Sequence, residues 1–367
     1  MEDYDYIINE YLKYITSITK EQTDYMHNIL CWHNPRNEGL NLKHFKIVNN
    51  QLYKSNNDNF EGWETRIEAF KYMLLRALQK YKIPDCEFFI YDDDAINESN
   101  IEKCIYNEKI LPIIVTTSVL YKYNMILCPD FTFSFFPEAF VENNEKMCRR
   151  VVDIQEKTDF KNKINKLVWR GSGNTRYRSQ YLKHDENYDI MSALTNTTQR
   201  GDQGAAYKST NGLTREERSK YKYQLYLNGH EGDDRNGAYS SSYKWALMSK
   251  SVVFYSAPAM YREFWNHPYI FKENKHFVYA FNTNELHQKY MFLKNNENIS
   301  EQIALSSFEF FKKYLLDYDI ILYYMNKLLN EYAKRMTYTV ELTATDRLIT
   351  DIKRNDFIDV LNIQQCK

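Results

Sequence analysis

Three stretches of this chain concentrate side chains able to do chemistry, and each follows an apolar segment. In the first, Glu87-Phe88-Phe89-Ile90-Tyr91 runs directly into Asp92-Asp93-Asp94. A carboxylate at the C-terminal end of a strand in an α/β layer points into the crevice where ligands bind. Asp92 and Asp94 form a DxD that could hold a divalent metal under a diphosphate. Alternatively, one Asp is a general base that removes a proton from an acceptor hydroxyl. Taken alone, the triplet reads first as a solvated acidic turn.

The second stretch is Trp169-Arg170-Gly171-Ser172-Gly173-Asn174-Thr175-Arg176-Tyr177-Arg178. A strand ends in a small-residue turn and a helix begins near Arg178. Backbone N–H groups at such a helix start favour phosphate oxygens, and arginine adds bidentate, permanently charged donors. That set suits a diphosphate held without a metal, although three arginines on a turn also fit a solvated face. It is not a P-loop, because GxxxxGK[ST] is absent.

The third runs from Asn228 through His230, Glu231, Asp233, Asp234 and Arg235 to Gly237-Ala238-Tyr239-Ser240-Ser241-Ser242. Its glycines permit close approach of backbone to a ligand, and its small residues leave the following helix start open. Standing alone it is an ordinary polar loop, and its His and acidic residues need not be metal ligands. Asp130, Phe131 and Phe133 are further candidates to line a cleft. No Ser-His-Asp or Cys-His arrangement stands out. The aromatic cluster Tyr261, Phe264, Trp265, Tyr269 and Phe271 reads as core packing before it reads as a stacking platform.

Elements able to position these residues follow from periodicity. Residues 4–30 carry apolar positions at helical spacing, and Phe45–Val48, Asn49-Asn50 and Leu52-Tyr53 read as a hairpin. A helix is predicted over Trp63–Lys82, ended by Pro84, with Ile67, Phe70, Leu74, Ala77, Leu78 and Tyr81 buried. Glu87–Tyr91, Leu111–Val119 and Met125–Cys128 read as strands, and Gln155–Lys166 as a charged helical connector. The strand–loop pattern restarts at Lys166–Trp169, which sets a boundary near 150. Tyr221–Leu227 and Ser251–Tyr255 are further strands around a helix Tyr243–Lys250, and residues 195–214 form a polar loop. Ile303–Tyr314 and Ile320–Lys334 are amphipathic helices. Alternating strand and helix implies an α/β protein. It divides into an N-terminal domain over 1–150, a C-terminal domain over 151–335 and an unassigned tail over 336–367.

The whole chain narrows the function classes. Its 367 residues, 43% hydrophobic and 26% charged, support two cored domains rather than disorder. A net charge of −1 leaves no basic excess to hold a polyanion, which argues against nucleic acid as partner. Cys31, Cys86, Cys104, Cys128, Cys148 and Cys366 are dispersed without CxxC spacing, consistent with reduced thiols and no zinc site. The acidic start Met1–Tyr6 lacks an apolar signal core, and no run reaches membrane-span length, so a cytoplasmic address is expected. The 32 Tyr against 10 Gly and 7 Pro, with abundant Asn, Lys and Ile, suggest an AT-rich coding source such as a large DNA virus or a protist.

Taken in order, the three stretches resemble the CAP10-like domain of glycosyltransferase family 90, which includes protein O-glucosyltransferases. The resemblance covers roughly residues 45–335. Pro84–Asp94 is similar to the family's PDVEFVIN..D strand, and Pro129-Asp130-Phe131-Thr132-Phe133 to its PDFTF segment. Trp169-Arg170-Gly171-Ser172 matches its (W/F)RGS signature, and Tyr221–Tyr223 with Ser251–Phe254 its KY and GSVVF segments. Glu263-Phe264-Trp265 and the closing helices fit the remainder. Each motif is modest, but their shared order is specific.

The resemblance implies a GT-B-like α/β fold, two Rossmann-type domains facing across a cleft, with C-terminal helices. It implies inverting transfer of a sugar from a UDP-sugar (UDP-glucose, UDP-xylose or similar) to a hydroxyl of a glycan, protein or small molecule, with no metal or other cofactor. Asp94 falls on the family's catalytic base. Arg170, Gly171 and Ser172 shape the turn, the donor-binding arginine maps to Arg176 or Arg178, and Gly237–Ser242 falls on the donor-contacting loop. Two departures stand out. Ser242 occupies the place of a family arginine that neutralises diphosphate charge, shifting that role to Arg235 or Lys244 or weakening donor binding, and Asn228–Asn236 is longer than the family pattern. A metal-dependent transferase using Asp92 and Asp94, or an inactive glycan- or nucleotide-binding relative, are the competing readings.

Overall fold

Asn49 and Asn50 adopt φ of 51° and 60°. Two consecutive left-handed residues make the tight turn that matches strand twist, and Asn tolerates that region best after Gly. Here they join β1 (Lys43–Val48) to β2 (Gln51–Ser55), with Val48 opposite Gln51. The Asn50 side chain also donates to the Leu78 carbonyl and accepts from the Ile83 amide, both at 3.0 Å, pinning the hairpin to the end of helix Glu64–Lys80. The computed structural model describes residues 1–31, 40, 42–55, 64–91, 102–119, 125–136, 141, 143–171, 176–193, 212–229, 240–258 and 260–350, with 64, 119 and 176 described by main chain only.

The chain forms two units. Among the described residues, the first takes Met1–Asn144, Tyr261–Ile270 and 318–350, and the second Glu145–Met260 and Phe271–Asp317. The closing helices accordingly divide: Glu297–Tyr314 belongs to the second unit, whereas Tyr318–Ala333 returns to the first. In that return helix the hydroxyls of Tyr324 and Tyr332 donate to the carbonyls of Leu127 (2.8 Å) and Pro112 (3.0 Å).

The first unit is built on a mixed six-stranded sheet. β3 (Cys86–Tyr91) pairs antiparallel with β1 and parallel with β4 (Ile113–Val115), which pairs with β5 (Ile126–Leu127). β3, β4 and β5 are wholly buried, which is why their sequences are apolar runs rather than alternations, apart from Glu87, whose buried carboxylate lies 2.8 Å from His44 Nε2. The tail supplies an edge strand, Asp346–Leu348, on β2, held by a Lys46–Asp346 ion pair at 2.8 Å.

The second unit has six strands in the order β7-β8-β6-β9-β10-β11. They are β6 (Ile164–Gly171), β7 (Lys183–His184), β8 (Tyr188–Ser192), β9 (Tyr221–Leu227), β10 (Val252–Ser256) and β11 (Val278–Ala280). All neighbours run parallel except β7 with β8. Helices Thr283–Asn295 and Glu297–Tyr314 cover the sheet with a core that includes Tyr223, Phe254, Tyr290 and Phe311. The architecture is thus α/β with two six-stranded sheets and C-terminal helices.

One predicted element differs. Helix Asn144–Glu156 ends as the expected Gln155–Lys166 connector begins, and β6 starts at Ile164. The charge in that stretch is misleading because the Lys163 side chain turns inward. Its ammonium donates to Gln155 Oε1, to the carbonyls of Ser219 (2.8 Å) and Ser249, and at 3.5 Å to Ser251 Oγ. The aromatic cluster behaves as core, with Tyr261, Phe264, Trp265 and Phe271 buried and Tyr269 half exposed.

Candidate functional site

Winding direction marks where a crevice is expected in the second unit. From β6 the chain proceeds to β8 on one side of the sheet, and from β9 to β10 on the other. The reversal falls between β6 and β9, which are adjacent and parallel. At such a switch point the connections leaving the strand ends part, and a crevice opens beyond the carboxyl ends. Gly171 ends β6 and Asn228 follows the end of β9, so the second and third stretches singled out by sequence leave these two strands side by side.

Gly171 is required by its neighbour. A Cβ at this position would lie 2.7 Å from Trp169 Cζ2 and within 3.3 Å of two more indole carbons. Residues 169 and 171 share one face of the strand, and the missing side chain lets the indole lie flat along it. Trp169 is buried, and the Arg178 guanidinium sits 5.7 Å from its ring centroid. Arg178 Nε also donates to the Asn228 carbonyl at 2.8 Å, so one arginine spans the connections leaving both strands.

Tyrosines secure the same end of the sheet. Tyr177 OH donates to the Ser256 carbonyl, and Tyr181 OH lies 3.0 Å from Ser256 Oγ, tying helix Arg176–Ser179 to β10. Burial pushes both phenols upward in pKa. Tyr255 OH donates to Asn228 Oδ1 at 2.7 Å, and the Ser240 amide donates to Tyr226 OH at 3.1 Å. Ser240 and Ser242 hydroxyls meet at 3.0 Å, and Ser241 immediately precedes the six-residue helix Ser242–Leu247 without a side-chain cap hydrogen bond.

Arg170 points elsewhere. Its guanidinium is bonded within the sheet to the Asp189 carboxylate at 2.8 Å and to the Asp189 carbonyl at 2.6 Å, clamping β6 to β8. Tyr221 OH donates to the other carboxylate oxygen at 2.6 Å. Lys244, considered as a stand-in for the missing arginine, is buried, with Nζ 5.3 Å from the Trp245 ring centroid.

In the first unit, Asp130 is buried and its Oδ1 accepts from the Thr132 amide (2.8 Å) and hydroxyl, capping the short turn Phe131–Phe133. Phe131 packs beneath Arg66, whose guanidinium is 4.7 Å from the ring centroid, and Phe133 packs edge-on against Phe264. Asp92, Asp94, Ser172, Gly237, Ala238, Tyr239 and Arg235 lie outside the described residues, as does most of the 195–214 loop, and Arg176 is described by its main chain alone. Among the described residues no group of three or more His, Cys, Asp or Glu is placed to hold a metal ion. No helix among them is long and apolar enough to cross a membrane.

Sequence reasoning missed the parts played by Asn228, Tyr255, Tyr177 and Tyr181. The signal available was the run of tyrosines at strand ends, where a ring is buried and its hydroxyl must find a partner.

In α/β proteins ligands bind at such a switch point, and comparison with known proteins is more specific. The family model for glycosyl transferase family 90 matches residues 32–354, and the chain belongs to that family. It is similar to protein O-glucosyltransferase 2 of Danio rerio, at 25% identity over 301 residues. That match covers 80% of this chain and 55% of the relative, so the chain spans about half the length of the curated relative it matches.

Proposed function

We propose that the chain is an inverting, metal-independent glycosyltransferase that moves a sugar from a UDP-sugar, such as UDP-glucose or UDP-xylose, to an acceptor hydroxyl. The observation that carries this reading is the Arg178 bridge between the connections leaving β6 and β9, in a chain of family 90. A permanently charged fork at a switch point is what a diphosphate leaving group needs. The relative's name supports a glucosyl donor and an acceptor hydroxyl on a protein.

The proposed reaction is a single displacement. The acceptor oxygen bonds to the anomeric carbon as the bond from that carbon to the β-phosphate oxygen breaks. Asp94 takes the acceptor proton, and the leaving UDP carries away the bonding pair, its growing charge met by Arg178 and by Arg176 beside the Gly171–Ser172 turn. The transition state is oxocarbenium-like. In this GT-B-like scheme the first unit supplies the base and the second grips the donor. Ser240–Ser242 approach the donor through small polar side chains.

The test is slow hydrolysis and transfer from a panel of UDP-sugars, with and without EDTA. Turnover unaffected by chelator is expected. Loss of turnover on chelation, restored by Mn²⁺ or Mg²⁺, would instead support a DxD metal site at Asp92 and Asp94. The loss of the arginine at Ser242 favours one further reading, a nucleotide-binding relative without turnover, which would show UDP affinity but release no sugar.

A further inference from the structure

We infer that Asn228 is a positioning residue for the donor, setting the aim of Arg178 from a socket whose second wall is Tyr255. This rests on the donor reading given above. Asn228 is fully buried at the end of β9, where the chain leaves the sheet. Its carbonyl accepts from Arg178 Nε at 2.8 Å, while its side-chain Oδ1 accepts from Tyr255 OH at 2.7 Å. One residue is thus gripped through its side chain by β10 and in turn grips the arginine through its main chain.

The consequence is geometric. An arginine held through Nε has its guanidinium plane set, and Trp169 supplies the surface beside that plane at 5.7 Å. Bidentate recognition of a phosphate depends on such a plane, because both N–H groups must meet two oxygens together. The Asn228 carbonyl has a defined direction only while the peptide after β9 is fixed, and Tyr255 fixes it from the neighbouring strand. Tyr255 touches no reacting atom in this scheme. It acts through Asn228, and Asn228 through Arg178.

Two substitutions remove the link without removing the arginine. Tyr255→Phe deletes only the hydroxyl, and Asn228→Ala deletes the amide while leaving the carbonyl that Arg178 uses. Each should weaken UDP binding, measured by isothermal titration calorimetry, roughly three- to tenfold. The donor KM should rise by a similar factor and kcat should fall with it, because Arg178 meets charge that grows as UDP leaves. The double variant should be no weaker than the poorer single one, since both cut one link.

Tyr290→Phe is the control. It removes another buried hydroxyl of this unit, bonded at 2.8 Å to the Asn187 carbonyl just before β8, at the opposite end of the strands. Its UDP affinity should be that of the wild type. Unchanged UDP affinity in Tyr255→Phe and Asn228→Ala overturns the inference, and so does an equal loss in Tyr290→Phe, which would indicate general loosening. A wild-type protein that binds no UDP instead removes the donor reading itself, and the inference falls with it.

Discussion

Gly171 shows how much a single absent side chain decides. Its hydrogen is all that fits against the Trp169 ring, whose Cζ2 would lie 2.7 Å from an added Cβ. Gly171→Ala must push the indole off the strand face, which costs about 1–3 kcal/mol and disturbs the surface beside Arg178. Chemical denaturation should report that loss, with a shift in tryptophan emission and weaker UDP binding. Wild-type stability and affinity in the alanine variant would contradict this account of the turn. The sequence marked residues 170–178 for their arginines and small residues, and the resemblance gave Arg170 to the turn and Arg176 or Arg178 to the donor, without showing what partner each would meet. They differ because Arg170 has a carboxylate within its own sheet, Asp189, whereas Arg178 reaches across to the connection from β9. Charge is visible in a sequence, but the partner of a charge is set by strand order.

At the scale of elements, hydrophobic pattern made β1, β2, β3, β9 and β10 legible, along with helix Glu64–Lys80, because each has an apolar face or run bounded by turn residues. The paired Asn49 and Asn50 located the hairpin turn for the reason borne out by their positive φ. β7, β8 and β11 were not legible. Tyr188–Ser192 and Val278–Ala280 are short, and their hold comes from partners distant in sequence. Lys163 misled for the opposite reason, as a charged residue serving as a buried tie. It joins the end of helix Asn144–Glu156 to the segments that lead into β9 and β10. Lys163→Met should lower stability by about 2–4 kcal/mol, because the carbonyls of Ser219 and Ser249 lose their buried donor. Urea denaturation would show it.

Asp189 makes a pH prediction at the same scale. Burial pushes its carboxyl up, but hydrogen bonds from Tyr221 and Arg170 more than offset this and hold it below the ordinary carboxylate range. The unfolded chain therefore takes up the proton first on acidification. The stabilisation is whole above the ordinary value near pH 4 and fades as pH falls through the native value below it. Asp189→Asn should lower the neutral-pH Tm and flatten the acid limb of Tm against pH below about pH 5. An acid limb identical to wild type would show that the β6–β8 clamp contributes nothing.

For the whole molecule, order along the chain carried more than any one motif. The PDFTF-like, (W/F)RGS-like and KY-like segments are each commonplace, yet their sequence anticipated the family now shown over residues 32–354. The base assignment is tested by function. Asp94→Asn should abolish transfer, by at least about a thousandfold for a removed general base, while UDP affinity stays at the wild-type level. Retained turnover in the Asn variant would reject Asp94 as base.

The most direct test of the central claim is a crystal structure with UDP bound. The account predicts the diphosphate at the carboxyl ends of β6 and β9, against the Gly171 turn and within hydrogen-bond reach of the Arg178 guanidinium. UDP bound at any other place on the second unit, with that crevice empty, would contradict it.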